Sequence, residues 1–259
     1  MALNHAWRRP DELSITLLYS PLALYCLRRE NATVFPAFHK NFTKAYRSGN
    51  TDAMPLQNRV TPAGEIVANP ARGLFMGNRG ILHDSDRRLH PTRRWTHKAW
   101  ICCLCADKGR RRAVMTPGRY TELFFLDEAT ALAAGHRPCF ECRREAATRF
   151  AAAWAQGNGS PRPSASEMDA ILHGEWLNGK EKRRHPLPGP PETLPDGTMV
   201  AAGDEAFLVS GGRFRPWSFA GYGKPVAAPA RLLLLTPPST VNALRAGYPV
   251  SAHPSARAD

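Results

Sequence analysis

Five of the six cysteines in this chain fall between residues 102 and 142, in two groups: Cys102, Cys103 and Cys105, then Cys139-Phe-Glu-Cys142. Nothing else in the sequence restricts the fold as much. Thiolates donated in pairs from two separate turns are the usual cage for a tetrahedral metal, Zn2+ above all. Cys139-x2-Cys142 supplies one pair, and Pro138 sets a tight turn before it. The other pair comes from the first group, where Cys102-x2-Cys105 has knuckle spacing. Cys103-x-Cys105 suits a strand, whose alternate residues share a face. His136, next to the turn, is able to replace one thiolate. Two other readings compete: a redox pair at a helix N-terminus, and small buried core residues. A lone redox pair would not need the second group, and a secreted disulfide scaffold would be shorter and richer in cysteine.

Around these cysteines the pattern is α+β. Residues 60–119 alternate short apolar runs with Gly and Asn-Arg-Gly turn signals, as strands do. Leu123–Leu126 predicts a strand, and Asp127 an N-cap for a helix over Glu128–Ala134 that Gly135 closes. A second helix is expected from about Arg143 to Gln156, with Ala146, Phe150 and Trp154 on its buried face. A third starts at the capping box Ser164-x-x-Glu167 and buries Met168, Ile171, Leu172 and Trp176. His185–Pro195 is a proline-rich connection. Strands follow at 198–202, 206–210 and 213–219, separated by Gly203-Asp204 and Gly211-Gly212, then an apolar strand at 232–235 and a short helix capped by Ser239 and ended by Gly247. The expected organisation is an N-terminal extension (1–53), a zinc-binding β/α module (54–160), a helix with a basic, proline-rich linker (161–195) and a C-terminal β-rich module (196–259). The extension is a mobile arm or the product of a start codon placed too far upstream.

Charge supplies the first functional clue. The net charge is +13, an excess that favours polyanions, either nucleic acid or an acidic membrane surface. Between Arg87 and Arg119 stand ten Lys or Arg residues and a single acid, Asp107. Arg87, Arg88, Arg93, Arg94, Lys98, Arg110, Arg111 and Arg112 flank the first cysteine group and are the candidate nucleic-acid contacts. A solvated basic surface is the plain alternative. No run reaches the roughly 18 apolar residues that span a bilayer. Leu13–Leu27 lacks a small-x-small cleavage site and contains Pro21 and Cys26, so a cytoplasmic protein is expected. His83-Asp84, His90 and His97 hint at a hydrolytic metal centre, but the region offers no paired carboxylates or general base. Asn78-Arg79-Gly80 is a turn with the composition of a phosphate cradle, although a turn is all it needs to be.

The run Phe124-Phe-Leu-Asp-Glu-Ala-Thr-Ala-Leu-Ala-Ala-Gly135-His-Arg-Pro-Cys139-Phe-Glu-Cys142-Arg143 resembles the second half of the Ada-type metal-binding domain of bacterial alkylation-response proteins. The similarity is close over about 20 residues and looser across 120–144 and its flanks. It implies a small α+β module holding one zinc by four thiolates and docked on DNA backbone, with Cys139 and Cys142 as the second ligand pair. The family's first pair is Cys-x3-Cys, a spacing absent among residues 102, 103 and 105, so alkyl-acceptor chemistry does not carry over. From Met54 onward the chain also resembles a group of uncharacterised bacterial proteins, in which the cysteine after Trp-Ile falls where Cys103 stands. That similarity favours Cys103 over Cys102.

The expected protein is therefore a zinc-stabilised nucleic-acid backbone binder, with DNA as its partner and a link to DNA repair or damage response. Its ligands are Cys103, Cys105, Cys139 and Cys142, with Cys102 and His136 as alternates. The competing expectation is an enzyme: a metal-dependent nuclease, or a repair protein using a zinc-activated thiolate. The sequence leans away from it because it shows ligands and positive charge but no acid/base pair.

Overall fold

A computed structural model describes residues 54–106 and 113–257. The expected N-terminal extension and Arg110, Arg111 and Arg112 lie outside the described residues. The chain is α+β, as its pattern predicts. Its elements are, in order, β1 (Gln57–Val60), β2 (Ile66–Ala68), β3 (Phe75–Asn78), β4 (Ile101–Leu104), β5 (Leu123–Phe125), α1 (Glu128–Ala133), β6 (Arg137–Pro138), α2 (Arg144–Asn158) and α3 (Ala165–Trp176). Then come β7 (Leu177–Asn178), β8 (Glu181–Lys182), β9 (Met199–Ala202), β10 (Glu205–Ser210), β11 (Arg213–Ser218), β12 (Gly221–Tyr222), β13 (Leu233–Leu234) and α4 (Pro238–Arg245).

One mixed sheet runs β2-β1-β5-β3-β4-β6, and an antiparallel sheet runs β12-β11-β10-β9-β13. In the first, β4 lies antiparallel to β3, with Met76 opposite Cys103, and parallel to β6, with Cys102 opposite Pro138. This places the two cysteine groups side by side at the edge of the sheet. The long connection 79–100 leaves β3 and returns as β4, so the basic residues at 87–98 sit on a loop rather than within a ribbon.

Local chemistry accounts for the helices. The Asp127 carboxylate accepts from the Thr130 backbone N–H at 2.9 Å and caps α1. Gly135 then turns the chain at φ 82°, a left-handed conformation that glycine adopts without steric cost. The capping box Ser164–Glu167 starts α3 as its sequence announces. Met168, Leu172 and Trp176 are buried on that helix, but Ile171 points outward and is 44% exposed. The start of α4 also departs from expectation. Pro238 occupies its first turn, and Ser239 lies inside the helix with its N–H and hydroxyl donating to the Glu175 carboxylate. The cap is thus supplied by a neighbouring helix, a partner that sequence spacing cannot reveal.

The region from 196 onward shares its core with the rest. Phe150 and Trp154 of α2 and Met168 and Leu172 of α3 pack with Ala243, Leu244 and Tyr248. Ala129 and Ala133 of α1 pack with Met199 and Leu208 of the second sheet. Among the described residues no helix is long and apolar enough to cross a membrane.

Candidate metal centre

Three sulfurs converge where β4 and β6 end. The Sγ atoms of Cys103, Cys139 and Cys142 lie within 4.8 Å of one another. Cys103 projects from β4 on the face opposite Cys102, as strand alternation requires. The Cys139 N–H donates to the Cys102 carbonyl at 3.0 Å, which carries the parallel β4–β6 pairing one residue further. The chain then turns through Phe140 and Glu141, and Cys142 comes back towards Cys139. Cys103 and Cys139 are buried and Cys142 is partly exposed. Such a group can hold a metal ion, and soft thiolates suit zinc and similar thiophilic ions.

The electrostatics of the group fit that use. A hydrogen bond from Cys103, helped by the backbone N–H groups of Cys142 and Glu141, holds the Cys139 thiol down to about 5. The same hydrogen bond and burial push the Cys103 thiol up, and burial with the neighbouring Cys139 pushes Cys142 up. Three thiolates cannot all ionise this close together without a cation to offset their repulsion, and a metal ion bound here would supply one.

The turn that presents Cys139 and Cys142 is braced by the two arginines that border it. Arg137 makes a buried two-pronged pair with Asp169 of α3, Nε to Oδ1 at 2.7 Å and Nη2 to Oδ2 at 2.9 Å. Arg143 pairs with the fully buried Glu128 at 2.8 Å, donates to the Cys102 Sγ at 3.4 Å and lies over the Phe75 ring. Both side chains face inward, so they position the metal turn and do not reach solvent. Sequence reading missed this role because both carboxylate partners are distant along the chain.

One expected ligand, Cys105, and the two alternates, Cys102 and His136, lie outside this group. Cys105 is exposed, and its Sγ lies 3.7 Å from the Gly73 carbonyl. The alternation that would bring it beside Cys103 stops because β4 ends at Leu104. Cys102 faces the core among Val60, Leu82, Leu123 and Phe125, and burial pushes its thiol up. His136 is fully buried between the Trp100 and Phe125 rings. Its Nδ1 lies 3.1 Å from the Ala134 carbonyl, and its Nε2 accepts from the Arg79 Nε at 3.5 Å. Both ring nitrogens are thus engaged, and burial followed by the Arg79 charge holds the imidazole neutral. Among the described residues no fourth side chain completes the three-thiolate group.

The loop 79–100 is ordered by its own contacts. Asp84 Oδ1 accepts from the N–H groups of Asp86 and Arg88, both at 2.9 Å, and His83 bridges to Leu89. The His90 Nδ1 accepts from Thr92 and Arg93. Arg94 donates to the His90 and Pro91 carbonyls, each at 2.9 Å. At the base of the loop Arg79 is fully buried, donates to the Gly64 and Ala134 carbonyls and lies 4.3 Å from the centre of the Trp100 ring. That stack closes off the turn at Asn78-Arg79-Gly80 as a phosphate cradle. His83 is likewise committed, with Nδ1 2.6 Å from the Thr121 hydroxyl. His83, Asp84 and His90 therefore work as loop braces, and they do not meet as metal ligands. Arg87, Arg88, Arg93 and Lys98 remain exposed.

Comparison with protein families, curated proteins and solved structures finds no match.

Proposed function

We propose that this protein is a zinc-stabilised binder of nucleic-acid backbone, with duplex DNA as its partner. One observation carries the reading. The loop 79–100 presents Arg87, Arg88, Arg93 and Lys98 on an ordered scaffold, and among the described residues no carboxylate pairs with any of them. The nearby acids Asp84 and Asp86 leave the loop net positive, and Asp84 is occupied by backbone N–H groups. Cations clustered on an ordered loop and unpaired among the described residues favour a phosphate ladder over a small acidic partner. A zinc ion held by Cys103, Cys139 and Cys142 would fasten the edge of the sheet from which the loop returns.

The test is a salt-titrated binding assay. Four to seven phosphate contacts, counting Arg110–Arg112, give a slope of log K against log salt of about −4 to −6. Replacing Arg87, Arg88, Arg93 and Lys98 with alanine should flatten that slope by about 3 to 4 units, equally for all sequences. If the quadruple variant binds duplex DNA as wild type does at low salt, the loop is only a solvated surface. Binding to anionic vesicles but not to duplex would replace DNA with a membrane surface.

A second reading is favoured by the count of three thiolates among the described residues. A coordination position left to solvent is the signature of reactive rather than structural zinc. A nuclease or thiolate-based repair activity would then be expected. Plasmid incubated with the protein and Mg2+ or Mn2+ tests the nuclease half of that reading.

A further inference from the structure

β1 and the residues before it, the connection from β2 to β3, Cys105 just past β4, Val114 and Phe124 of β5 line a cavity of about 400 Å3. Its walls divide by chemistry. Leu56, Pro70, Val114 and Phe124 supply apolar surface, and Arg59 and Arg72 supply two guanidinium groups. Arg59 is held firmly. It lies over the Phe124 ring with its centre 5.0 Å away, its Nε donates to the Ala71 carbonyl at 2.5 Å, and its Nη1 donates to Asn58 Oδ1. Its Nη2 makes no hydrogen bond among the described residues, and Arg72 makes neither a hydrogen bond nor an ion pair there. Burial first, and then the Arg72 charge, push the Arg59 guanidinium below its usual range. Among the described residues, two cations thus share one concave site with no carboxylate paired to either, and Cys105 is the one acidic group beside them, an arrangement that a bound dianion would stabilise.

We propose that this cavity binds a nucleoside phosphate, with the phosphate on Arg59 and Arg72 and the base against the Leu56, Val114 and Phe124 wall. The volume falls in the range of small-ligand pockets lined by apolar groups with a few fixed polar ones. An arginine stacked on an aromatic ring keeps its outer N–H groups aimed, which suits two-pronged contact with phosphate oxygens. A free nucleotide and a nucleotide unit of a nucleic-acid strand offer the same chemistry. The inference does not depend on duplex binding by the 79–100 loop, since that surface uses other residues.

Cys105 gives the site a reporter. Its thiol lines the cavity and is exposed, so a ligand in the cavity should shield it from alkylation. The full-length protein is treated with iodoacetamide, and modification at Cys105 is followed by peptide mass spectrometry. Adenosine monophosphate, a single-stranded ten-nucleotide DNA and inorganic phosphate serve as separate probes. Saturable, several-fold slowing by the nucleotide, the strand or both is expected, and which of them protects identifies the source. Arg72→Ala, at an exposed side chain that makes no hydrogen bond, should weaken protection about tenfold or more without affecting the melt. Arg72→Glu should abolish it. No protection by any probe up to about 10 mM overturns the proposal. So does protection unchanged in Arg72→Ala, or protection by inorganic phosphate equal to that by the nucleotide. None of these outcomes alters the salt slope of duplex binding, so the two readings fail separately.

Discussion

Replacing Glu128 with glutamine tests whether the metal turn is anchored through the buried charge pair. The Glu128 side chain is fully buried and accepts three hydrogen bonds, from Arg143 at 2.8 Å, Tyr248 at 2.7 Å and the Ser251 N–H at 2.8 Å. Glutamine keeps the volume, but its amide nitrogen cannot accept, so at least one donor is orphaned. The larger effect is that Arg143 stays buried with no counter-charge. Breaking one side of a buried pair costs about 3–5 kcal/mol, and losing a carboxylate in the first turn of α1 adds roughly 0.3–1 kcal/mol. Against a typical total stability of about 5–15 kcal/mol, the variant should unfold at markedly lower urea. At roughly 2–4 °C per kcal/mol, its Tm should fall by about 7–24 °C. The control is Glu145→Gln, which breaks an ion pair of the same length with Arg149 on the exposed face of α2. That change should stay within about 0.5 kcal/mol. Urea titrations of both variants measure the two costs. Equal costs, or a Glu128→Gln cost below about 1 kcal/mol, would refute the claim that this pair secures the turn.

Serine in place of Cys103, Cys139 or Cys142 should each remove the bound metal, and Cys139→Ser should also unfold the central region. Cys105→Ser should keep full metal content by mass spectrometry, and the reverse pattern would overturn the ligand assignment. Burial and Arg79 depress the His136 pKa in the folded state, so the unfolded chain binds the extra proton. Stability from this residue is complete above about pH 6.5 and declines below it by about 1.4 kcal/mol per pH unit. Comparing His136→Gln with wild type at each pH should show a shallower acid slope, and identical slopes would remove His136 as the cause. A Cβ at Gly157 would sit 2.2 Å from the Asn242 carbonyl oxygen where α2 meets α4, so Gly157→Ala should cost about 1–3 kcal/mol. Gly174 on α3 faces open space, and Gly174→Ala should be neutral or stabilising by up to about 1 kcal/mol.

What was legible in the sequence was local. The cap at Asp127, the glycine turn at 135, the capping box at Ser164 and the hairpins around Gly203 and Gly211 each depend on neighbours a few residues away, and each falls where its pattern places it. The pairing of β4 with β6 was implied only by the need to bring two cysteine groups together. Which cysteine faces which way hinged on where β4 stops, and strand ends are set by pairing partners such as Phe75 opposite Leu104. Resemblance therefore favoured Cys103, and strand alternation carried the pairing on to Cys105, one residue past the end of the strand. The inward turn of Arg137 and Arg143 was hidden for the same reason. Their carboxylates, Asp169 and Glu128, come from helices that only the fold brings near, and in a chain of this charge an arginine beside a metal turn reads as a contact for phosphate. Ile171 was placed in the core because helical periodicity does not say how wide the buried stripe is.

The metal centre and the basic loop are less tightly linked than their closeness in sequence suggests. Cys103 follows Lys98 by only five residues, which suggests that a metal bound there would shape the proposed phosphate-binding surface. Yet the loop's conformation rests on contacts that involve no cysteine: the Asp84 and His90 turns, the His83–Thr121 bond, the Thr96 N–H on the Arg79 carbonyl and the stack of Arg79 on Trp100. The strands that frame it are paired through four residues of β3 and four of β4 by backbone hydrogen bonds. What the three thiolates fasten is the turn at 139–142 and, through it, the start of α2. Coupling between two sites needs an element whose equilibrium both of them bias, and β4 is the one element they share. Removing the metal should therefore loosen the start of α2 and the β4–β6 edge first. The proposed duplex binding through Arg87, Arg88, Arg93 and Lys98 should then persist for as long as β3 and β4 remain paired, so under gentle chelation the turn should loosen before any DNA affinity falls. A loss of affinity in step with metal release would mean that β4 transmits more than its hydrogen bonds suggest.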